Sequence, residues 1–317
     1  MWRRTNAFMV PSTLWFTALH QTSDAEFKML DVFFASLGEG SIRHVFLYFF
    51  SGPSDVMPSL VSLLESIQQS GCHELYCHGF EWLQCSRHSF TIPTSTCKSR
   101  LTRLELRLSL LFSGLAIPFT LKTLQSAPLK KLVLTDTSLT ATQWSSFLEP
   151  LYLPHLRILT VDDRCPGCSL ALFLLCHQIT NLSISSHAYP RTRPSQKSVT
   201  FRKSTILGKL SALQWLTASP FSIHSLMCHV NVSGNFQCLT IELHQRPLEK
   251  YLLSDALRCT NHFPGLPQLW VSVPVGVSLD ILAYPDMVHH FCLVQELTLQ
   301  MDDSESDDII VSYYNII

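Results

Sequence analysis

Apolar residues recur along this chain in a short pattern, L-x-x-L-x-L, in which the first, fourth and sixth positions are apolar and the others are mostly polar. Nine of the ten fourth positions are leucine. Successive copies start about 28 residues apart on average, a unit length typical of arrays in which each copy buries its apolar face against its neighbours. The copies begin at Ile42, Cys72, Leu101, Leu129, Leu156, Ile179, Leu213, Phe236, Leu266 and Val294.

Each copy predicts a β-strand, because its apolar positions alternate. Positions four and six should face the core, and positions three, five and seven should face the opposite side of the sheet. The longer gaps leave room for helices. Residues 24–37 predict one behind a capping box, since Ser23 precedes Glu26 by three positions, and residues 13–19 predict an eleventh strand before it. Two further apolar stripes predict helices, at Val56, Leu60, Leu63, Leu64 and Ile67, and at Trp144, Phe147 and Leu148 behind Thr140 and Gln143.

The copy LKKLVL at Leu129 continues as TDTSL and so matches most of the leucine-rich-repeat pattern, with Thr137 where Asn or Cys is usual. Together with LPHLRILTV and VQELTLQM, it resembles the repeat portions of fungal F-box proteins, especially those expanded in mushroom-forming fungi. The resemblance implies an α/β leucine-rich-repeat solenoid, or horseshoe, with a concave parallel sheet and a mostly helical convex face. Residues 1–300 would form one solenoid of ten or eleven irregular repeats. Residues 301–317 would add an acidic run and a short apolar end, and the copy at Val294, which no full helix follows, would be an unfinished repeat.

The same resemblance implies a binding role. In that family an F-box helix bundle docks a Skp adaptor of a ubiquitin ligase, and the repeats bind the substrate. The first forty residues contain no LPxE-like helical start, so a Skp adaptor is not an expected partner. We therefore expect a non-catalytic protein-protein interaction scaffold, with substrate recognition in a ubiquitin-ligase system as the role that the resemblance adds.

Composition narrows the classes of partner. Apolar residues make up 46% of the chain and charged residues 15%, which is too apolar for a disordered chain. No apolar run approaches ~18 residues, so no membrane span is predicted. The net charge of -1 gives no overall field that attracts nucleic acid. A basic insertion at 188–206 predicts either a solvated loop or a nuclear-import or anion-binding segment.

Cysteine usage indicates the compartment. The eleven cysteines are scattered, and Cys72 and Cys77 occupy core positions of the pattern, so we expect reduced thiols in an intracellular protein, either cytoplasmic or nuclear. The segment from Met1 to Gln21 resembles a poor signal peptide. The alternative is a secreted or surface recognition ectodomain, in which Asn181 and Asn231 would be glycosylation acceptors.

Motifs for catalysis are sparse. The sequence contains no G-x-S-x-G, G-x-G-x-x-G or P-loop, so we expect no enzyme and no cofactor. Cys165-Pro-Gly-Cys168 is either a turn with two incidental thiols, a redox pair or half of a zinc site. An enzyme of unrecognised type is a further alternative, because a triad can assemble from distant residues.

Aromatic side chains on the odd-numbered template positions indicate the most specific candidate site. Trp, Tyr and Arg are the usual anchors of protein interfaces. Trp215 and Trp270 lie two copies apart, a strand spacing of ~10 Å, and polar residues separate them. The alternative is a solvated sheet whose single aromatic residues bind nothing. The candidate partner-binding residues are Phe46, Tyr48, Tyr76, Trp215, Thr217, Thr240, Glu242 and Trp270.

Overall fold

The chain divides into two compact units, residues 1–158 and residues 159–317, which we call unit one and unit two. Both contain strands that alternate with helices. The chain therefore has an α/β fold with a mainly parallel sheet in each unit. The computed structural model describes residues 5–10, 12–21, 23–50, 57–79, 99–113, 116–185, 206–243, 263, 266–274, 296–302 and 309–314.

Unit one contains six strands whose order in the sheet follows their order in the chain. β1 pairs with β2 antiparallel, and the pairs from β2 to β6 are parallel. A 3-10 helix spans Ser109–Phe112. The elements are β1 (Thr5–Val10), β2 (Thr13–Gln21), α1 (Asp24–Ser36), β3 (His44–Phe50), α2 (Met57–Gln69), β4 (Glu74–Gly79), β5 (Arg103–Arg107), α3 (Ile117–Ser126), β6 (Lys131–Leu134) and α4 (Ala141–Leu148).

Unit two begins within the next strand, β7, and holds a second run of strands and helices. The elements are β7 (Ile158–Asp162), α5 (Gly167–Leu175), β8 (Asn181–Ser185), β9 (Gly208–Leu210), β10 (Trp215–Ala218), α6 (Pro220–Met227), β11 (Val230–Val232), β12 (Cys238–Glu242), β13 (Gln268–Pro274), β14 (Glu296–Asp302) and β15 (Ile309–Tyr314). The sheet order is β7-β8-β10-β12-β13-β14-β15, while β9 and β11 form a separate parallel pair.

The ten predicted strands are confirmed, and each begins at the third position of its template copy. The strand that follows Ile42 begins at His44, for example, and the one that follows Leu213 begins at Trp215. Wherever the structure describes the side chains at positions four and six, they are buried. The repeat thus encodes the start of each strand and the side of the sheet that meets the core.

The first helix shows how local signals position these elements. The Ser23 N–H donates to Glu26 Oε2 at 2.7 Å, which completes the predicted capping box at the start of α1. Phe27 of α1 then packs on Phe49 of β3 with ring centroids 5.0 Å apart. Burying such a ring contributes about 1.5–3 kcal/mol. Helix α1 therefore covers the core side of the sheet and leaves the opposite side, the open face, to the odd-numbered template positions.

The turn after β6 contains Thr137, at the position where the leucine-rich-repeat pattern predicts Asn or Cys. Thr137 is buried, and its Oγ1 accepts a hydrogen bond from the Leu139 N–H at 3.3 Å. Asp136 and Ser138 adopt left-handed backbone conformations with φ of 55° and 58°. A short hydroxyl side chain can satisfy a buried backbone donor in a tight turn. Thr137 therefore performs part of the hydrogen bonding expected of an Asn at this position.

Both terminal strands differ from the expected parallel array. Only two residues separate Val10 from Thr13, and the strands on either side form an antiparallel hairpin. Only residues 303–308 separate β14 from β15, which also pair antiparallel. A parallel connection needs a crossover of a dozen or more residues, so these short links permit only antiparallel pairing. Residues 309–314 therefore form a hairpin strand that pairs with the strand of the Val294 copy.

Candidate functional site

Three aromatic residues form a stacked ladder on the open face of unit one. Trp15, Phe46 and Tyr76 lie opposite one another on β2, β3 and β4. The Trp15 and Phe46 rings stack with centroids 3.8 Å apart, and the Phe46 and Tyr76 rings with centroids 4.2 Å apart. Each such pair contributes about 0.5–1.5 kcal/mol beyond area burial. Strand register thus assembles one continuous aromatic ladder from three repeats.

The exposed fraction of the residue falls along this ladder from Trp15 to Tyr76. Trp15 is 38% exposed, whereas Tyr76 is only 9% exposed. The sequence predicted Tyr76 to be an exposed aromatic residue, and that prediction is wrong. Phe46 covers one face of the Tyr76 ring, and the Arg103 guanidinium lies 4.6 Å from the centroid of that ring. Tyr76 therefore supports the ladder, while Trp15 and the half-buried Phe46 offer contact area.

A second row lies two residues further along the same strands. Tyr48 of β3 is opposite His78 of β4, which is opposite Arg107 of β5. The Tyr48 and His78 rings meet edge to face with centroids 5.0 Å apart. Tyr48 also lies near Trp15, at a centroid distance of 6.4 Å. The predicted residues Phe46, Tyr48 and Tyr76 thus form one cluster.

Glu105 is the centre of a charged group beside the ladder. Its Oε1 is 3.0 Å from His78 Nε2 and 2.9 Å from Arg107 Nε. Its Oε2 is 3.8 Å from an Arg103 Nη nitrogen, which is too long for a hydrogen bond. Burial by itself would raise the pKa of Glu105. The His78 hydrogen bond and the positive charges of Arg107 and Arg103 outweigh burial and lower the pKa below its usual value.

The predicted residues of unit two form a different arrangement. Thr217, Thr240 and Trp270 lie in one row across β10, β12 and β13, while Trp215 lies in the adjacent row, opposite Cys238. Two strand spacings and a two-residue offset place Trp215 and Trp270 ~12 Å apart rather than ~10 Å. Glu242 lies one row beyond Trp270, opposite Ser272.

The two tryptophans also differ in how far they are buried. Trp215 is 39% exposed, whereas Trp270 is half-buried and its indole Nε1 is buried with no hydrogen-bond partner among the described residues. Cys238, between them on the open face, is 4% exposed. The open face of unit two thus offers one accessible tryptophan among small polar residues rather than a paired anchor.

A cleft of about 320 Å³ opens beside the carboxyl end of α5. His177 lies in it with Nδ1 2.6 Å from the Phe173 carbonyl oxygen. Burial lowers the pKa of His177, although the carbonyl opposes this effect. Residues 174–179 and 209–213 line the cleft.

The Cys165-Pro-Gly-Cys168 segment begins α5. Cys165 is buried, and burial raises the pKa of its thiol, whereas Cys168 is exposed. Gly167, the first residue of the helix, packs so tightly that an added Cβ would lie 2.4 Å from the Ser225 carbonyl oxygen. Packing between α5 and α6 therefore explains the glycine of this motif. Among the described residues, no group of three or more His, Cys, Asp or Glu side chains is arranged to hold a metal ion.

Cysteine accessibility yields a testable prediction. Burial raises the pKa of the Cys72 and Cys77 thiols to about 12, so both should resist alkylation in the folded chain. Among the cysteines that the structure describes, Cys168 and Cys176 are exposed and should react first with a thiol reagent. Under denaturing, non-reducing conditions, all eleven cysteines should react. Protected pairs in the denatured chain would contradict the intracellular interpretation and favour the secreted one.

Some predicted features lie outside the described residues. Almost all of the basic insertion at 188–206 falls there, as do residues 303–308 of the acidic run. Both remain predictions. Among the helices that the structure describes, none is long and apolar enough to span a bilayer.

Sequence reasoning missed two parts of the unit-one cluster as site residues. Trp15 is one of several apolar residues near the start of the chain, and its position opposite Phe46 follows from the predicted strand at 13–19. Glu105 falls on the open face of its template copy, but its contacts with His78 and Arg107 depend on the register of neighbouring strands. Aligning the odd positions of adjacent copies would have brought these residues together.

No family model matches the chain, and no match was found among the curated proteins or the solved structures.

Proposed function

We propose that the chain is a leucine-rich-repeat solenoid that binds another protein through its sheet, as a non-catalytic interaction scaffold. The period of about 28 residues and the ten strands that start at equivalent template positions support this architecture. The Thr137 turn supports it further, because its side chain satisfies a buried backbone donor. In a solenoid of this kind, the open-face positions of a repeat lie on the concave side.

The aromatic ladder is the observation that carries the proposed function. Trp15 is 38% exposed beside Phe46 and Tyr48, and Arg103 and Arg107 lie next to them. Binding energy in protein interfaces is concentrated in residues of these types. An exposed tryptophan held by stacking also loses little side-chain freedom on binding, so less of the contact energy is offset. If the family resemblance extends to function, the bound protein would be the substrate of a ubiquitin ligase.

Peptide selection and photo-crosslinking test this proposal. Binders would be selected from a random twelve-residue phage library on the full chain. A photo-reactive phenylalanine at position 15 should crosslink to the selected peptides. The same group at Val32, which is 69% exposed on α1, should not. A probe at Trp215 would show whether the open face of unit two takes part.

Substitution provides the second readout. Trp15→Ala with Phe46→Ala should weaken binding at least ~10-fold, because each anchor contributes about 1–2 kcal/mol or more. Tyr152→Ala removes another exposed aromatic residue and should leave the affinity unchanged. Thermal unfolding of each variant checks that the fold persists. Selected peptides that crosslink from Val32, or that still bind the folded double variant, would contradict the proposed binding face.

A further inference from the structure

The ladder stacks its rings against one another, so both faces of Phe46 and one face of Trp15 are covered. The Trp15 and Phe46 planes differ by 3°, and the Phe46 and Tyr76 planes by 13°. Arg103 covers the remaining face of Tyr76. Ring edges carry the positive part of the aromatic quadrupole and attract oxygen atoms. At Phe46 and Tyr76 the ladder therefore presents electropositive edges to a ligand and leaves no uncovered ring face on which a nucleobase or a sugar could stack.

The neighbouring guanidinium groups are only partly neutralised within the chain. Arg103 and Arg107 share the single carboxylate of Glu105, and only Arg107 approaches it closely, at 2.9 Å. The Nε atoms of both arginines are buried without an aligned hydrogen bond to a described residue. The arginine side chains are 32% and 43% exposed. Each guanidinium has five N–H donors, so both retain unused donors toward the open face.

The surrounding charges extend this positive region. Lys131 of β6 lies opposite Arg103, and Glu74 of β4 lies opposite it on the other side. The Tyr76 hydroxyl donates to Glu74 Oε2 at 2.8 Å, so that carboxylate is already engaged. The odd template positions of β3 to β6 thus hold three permanent cations and two carboxylates, and both carboxylates have partners within the chain.

Unit two carries the opposite charge on the corresponding positions. Its described strands place Asp162, Glu242 and Glu296 on the open face, with no lysine or arginine at the third, fifth or seventh template position. Basic character is therefore a property of the unit-one face and not of the repeat pattern. Positively charged interface residues select partners by complementary charge.

We infer that the partner segment bound on the unit-one face is acidic, with its carboxylates on Arg103 and Arg107 and an apolar side chain against Trp15 and Phe46. This inference rests on the proposed function and specifies the chemistry of its partner. The two arginines are four residues apart on one strand, a distance of ~13 Å, and can hold two separate carboxylates. Each bond between a guanidinium and a carboxylate is charge-assisted and can be bidentate.

Nucleic acid fits the same surface poorly. Proteins that bind single strands combine exposed ring faces with a continuous basic groove. Here both faces of Phe46 are stacked on its neighbours, and two carboxylates lie among the cations. A single-stranded oligonucleotide is therefore the appropriate competitor in the test.

Fluorescence anisotropy with defined peptides tests the inference on the full chain. The probes are labelled twelve-residue peptides in which Asp and Glu flank one leucine, and matched peptides with Asn and Gln in their place. Acidic peptides should bind at least ~10-fold more tightly than their amide counterparts at low salt, and the difference should shrink as salt screens the charges. Arg103→Gln and Arg107→Gln should each reduce this preference. Arg43→Gln, an exposed arginine outside the ladder, should not.

The possible outcomes separate the two proposals. Equal binding of acidic and amide peptides, or tighter binding of oligothymidine, would overturn the acidic partner. The scaffold proposal would survive that result if binding still required Trp15 and Phe46. If no peptide bound through Trp15 and Phe46, neither proposal would stand. Loss of the acidic preference in Arg43→Gln as well would also overturn the inference, since it would show a general charge effect.

Discussion

Alanine at position 167 is expected to destabilise unit two by about 2 kcal/mol through overpacking, although alanine is the better helix former. Its Cβ would lie 2.4 Å from the Ser225 carbonyl oxygen and 2.5 Å from the Ser225 Oγ. Backbone cannot move aside as a side chain can, so α5 must shift away from α6. Overpacking of this kind costs about 1–3 kcal/mol. The gain in helix propensity is at most ~1 kcal/mol and smaller at the first helical position.

Gly234→Ala is the matched control, because no heavy atom lies within 4 Å of the Cβ that it would add. Thermal unfolding should show a lower midpoint for Gly167→Ala, by roughly 4–8 °C, and little change for the control. Since the chain has two units, amide hydrogen exchange in α5 and α6 should accompany the scan to locate the change. Equal unfolding midpoints for Gly167→Ala and Gly234→Ala would show that α5 and α6 do not pack as closely as described.

Glu105→Gln is expected to destabilise unit one by about 1–3 kcal/mol at pH 7, because it leaves Arg103 and Arg107 beside a neutral side chain. The partial exposure of both arginines keeps this value below the full cost of an uncompensated buried charge. Glu39→Gln is the control. Its partner is Arg100, and both side chains are mostly exposed, so at most ~1 kcal/mol should be lost.

The destabilisation by Glu105→Gln should depend on pH. The folded state lowers the pKa of Glu105 below its usual value of 4.5, so the folded chain binds this proton less tightly than the unfolded chain does. The carboxylate therefore stabilises the fold above about pH 4.5, and this contribution is lost as the pH falls through the lowered folded pKa. Urea unfolding from pH 7 down to pH 3 should bring the free energies of unfolding of the two proteins together. If the difference between the two free energies of unfolding stayed the same from pH 7 to pH 3, Glu105 would stabilise the fold through its shape rather than its charge.

The two stability experiments address different parts of the molecule. Gly167 belongs to the packing between α5 and α6. Glu105 belongs to the open face of unit one and orients the arginines that we expect to contact the partner. A loss of binding in a folded variant would therefore report on the open face, provided that its unfolding is unchanged.

The sequence by itself determined where the ten template strands begin and, wherever the structure describes the side chains, that positions four and six are buried. Each apolar template specifies the direction of its own side chains, because residues along a strand alternate strictly. The signals that start α1 and α4 were equally local. The capping boxes of Ser23 with Glu26 and of Thr140 with Gln143 are both present, because their partners are only three residues apart.

Only the tertiary structure decided which open-face residues form a site. Trp15, Phe46 and Tyr76 come from three successive repeats and meet through strand register, which also buries Tyr76 and offsets Trp215 from Trp270. Glu105 acquires His78 as a partner in the same way. The repeat pattern describes each strand relative to its own core, whereas stacking and ion pairing depend on side chains contributed by neighbouring strands. For that reason each strand could be predicted from its own repeat, whereas the candidate site required several repeats in their mutual register.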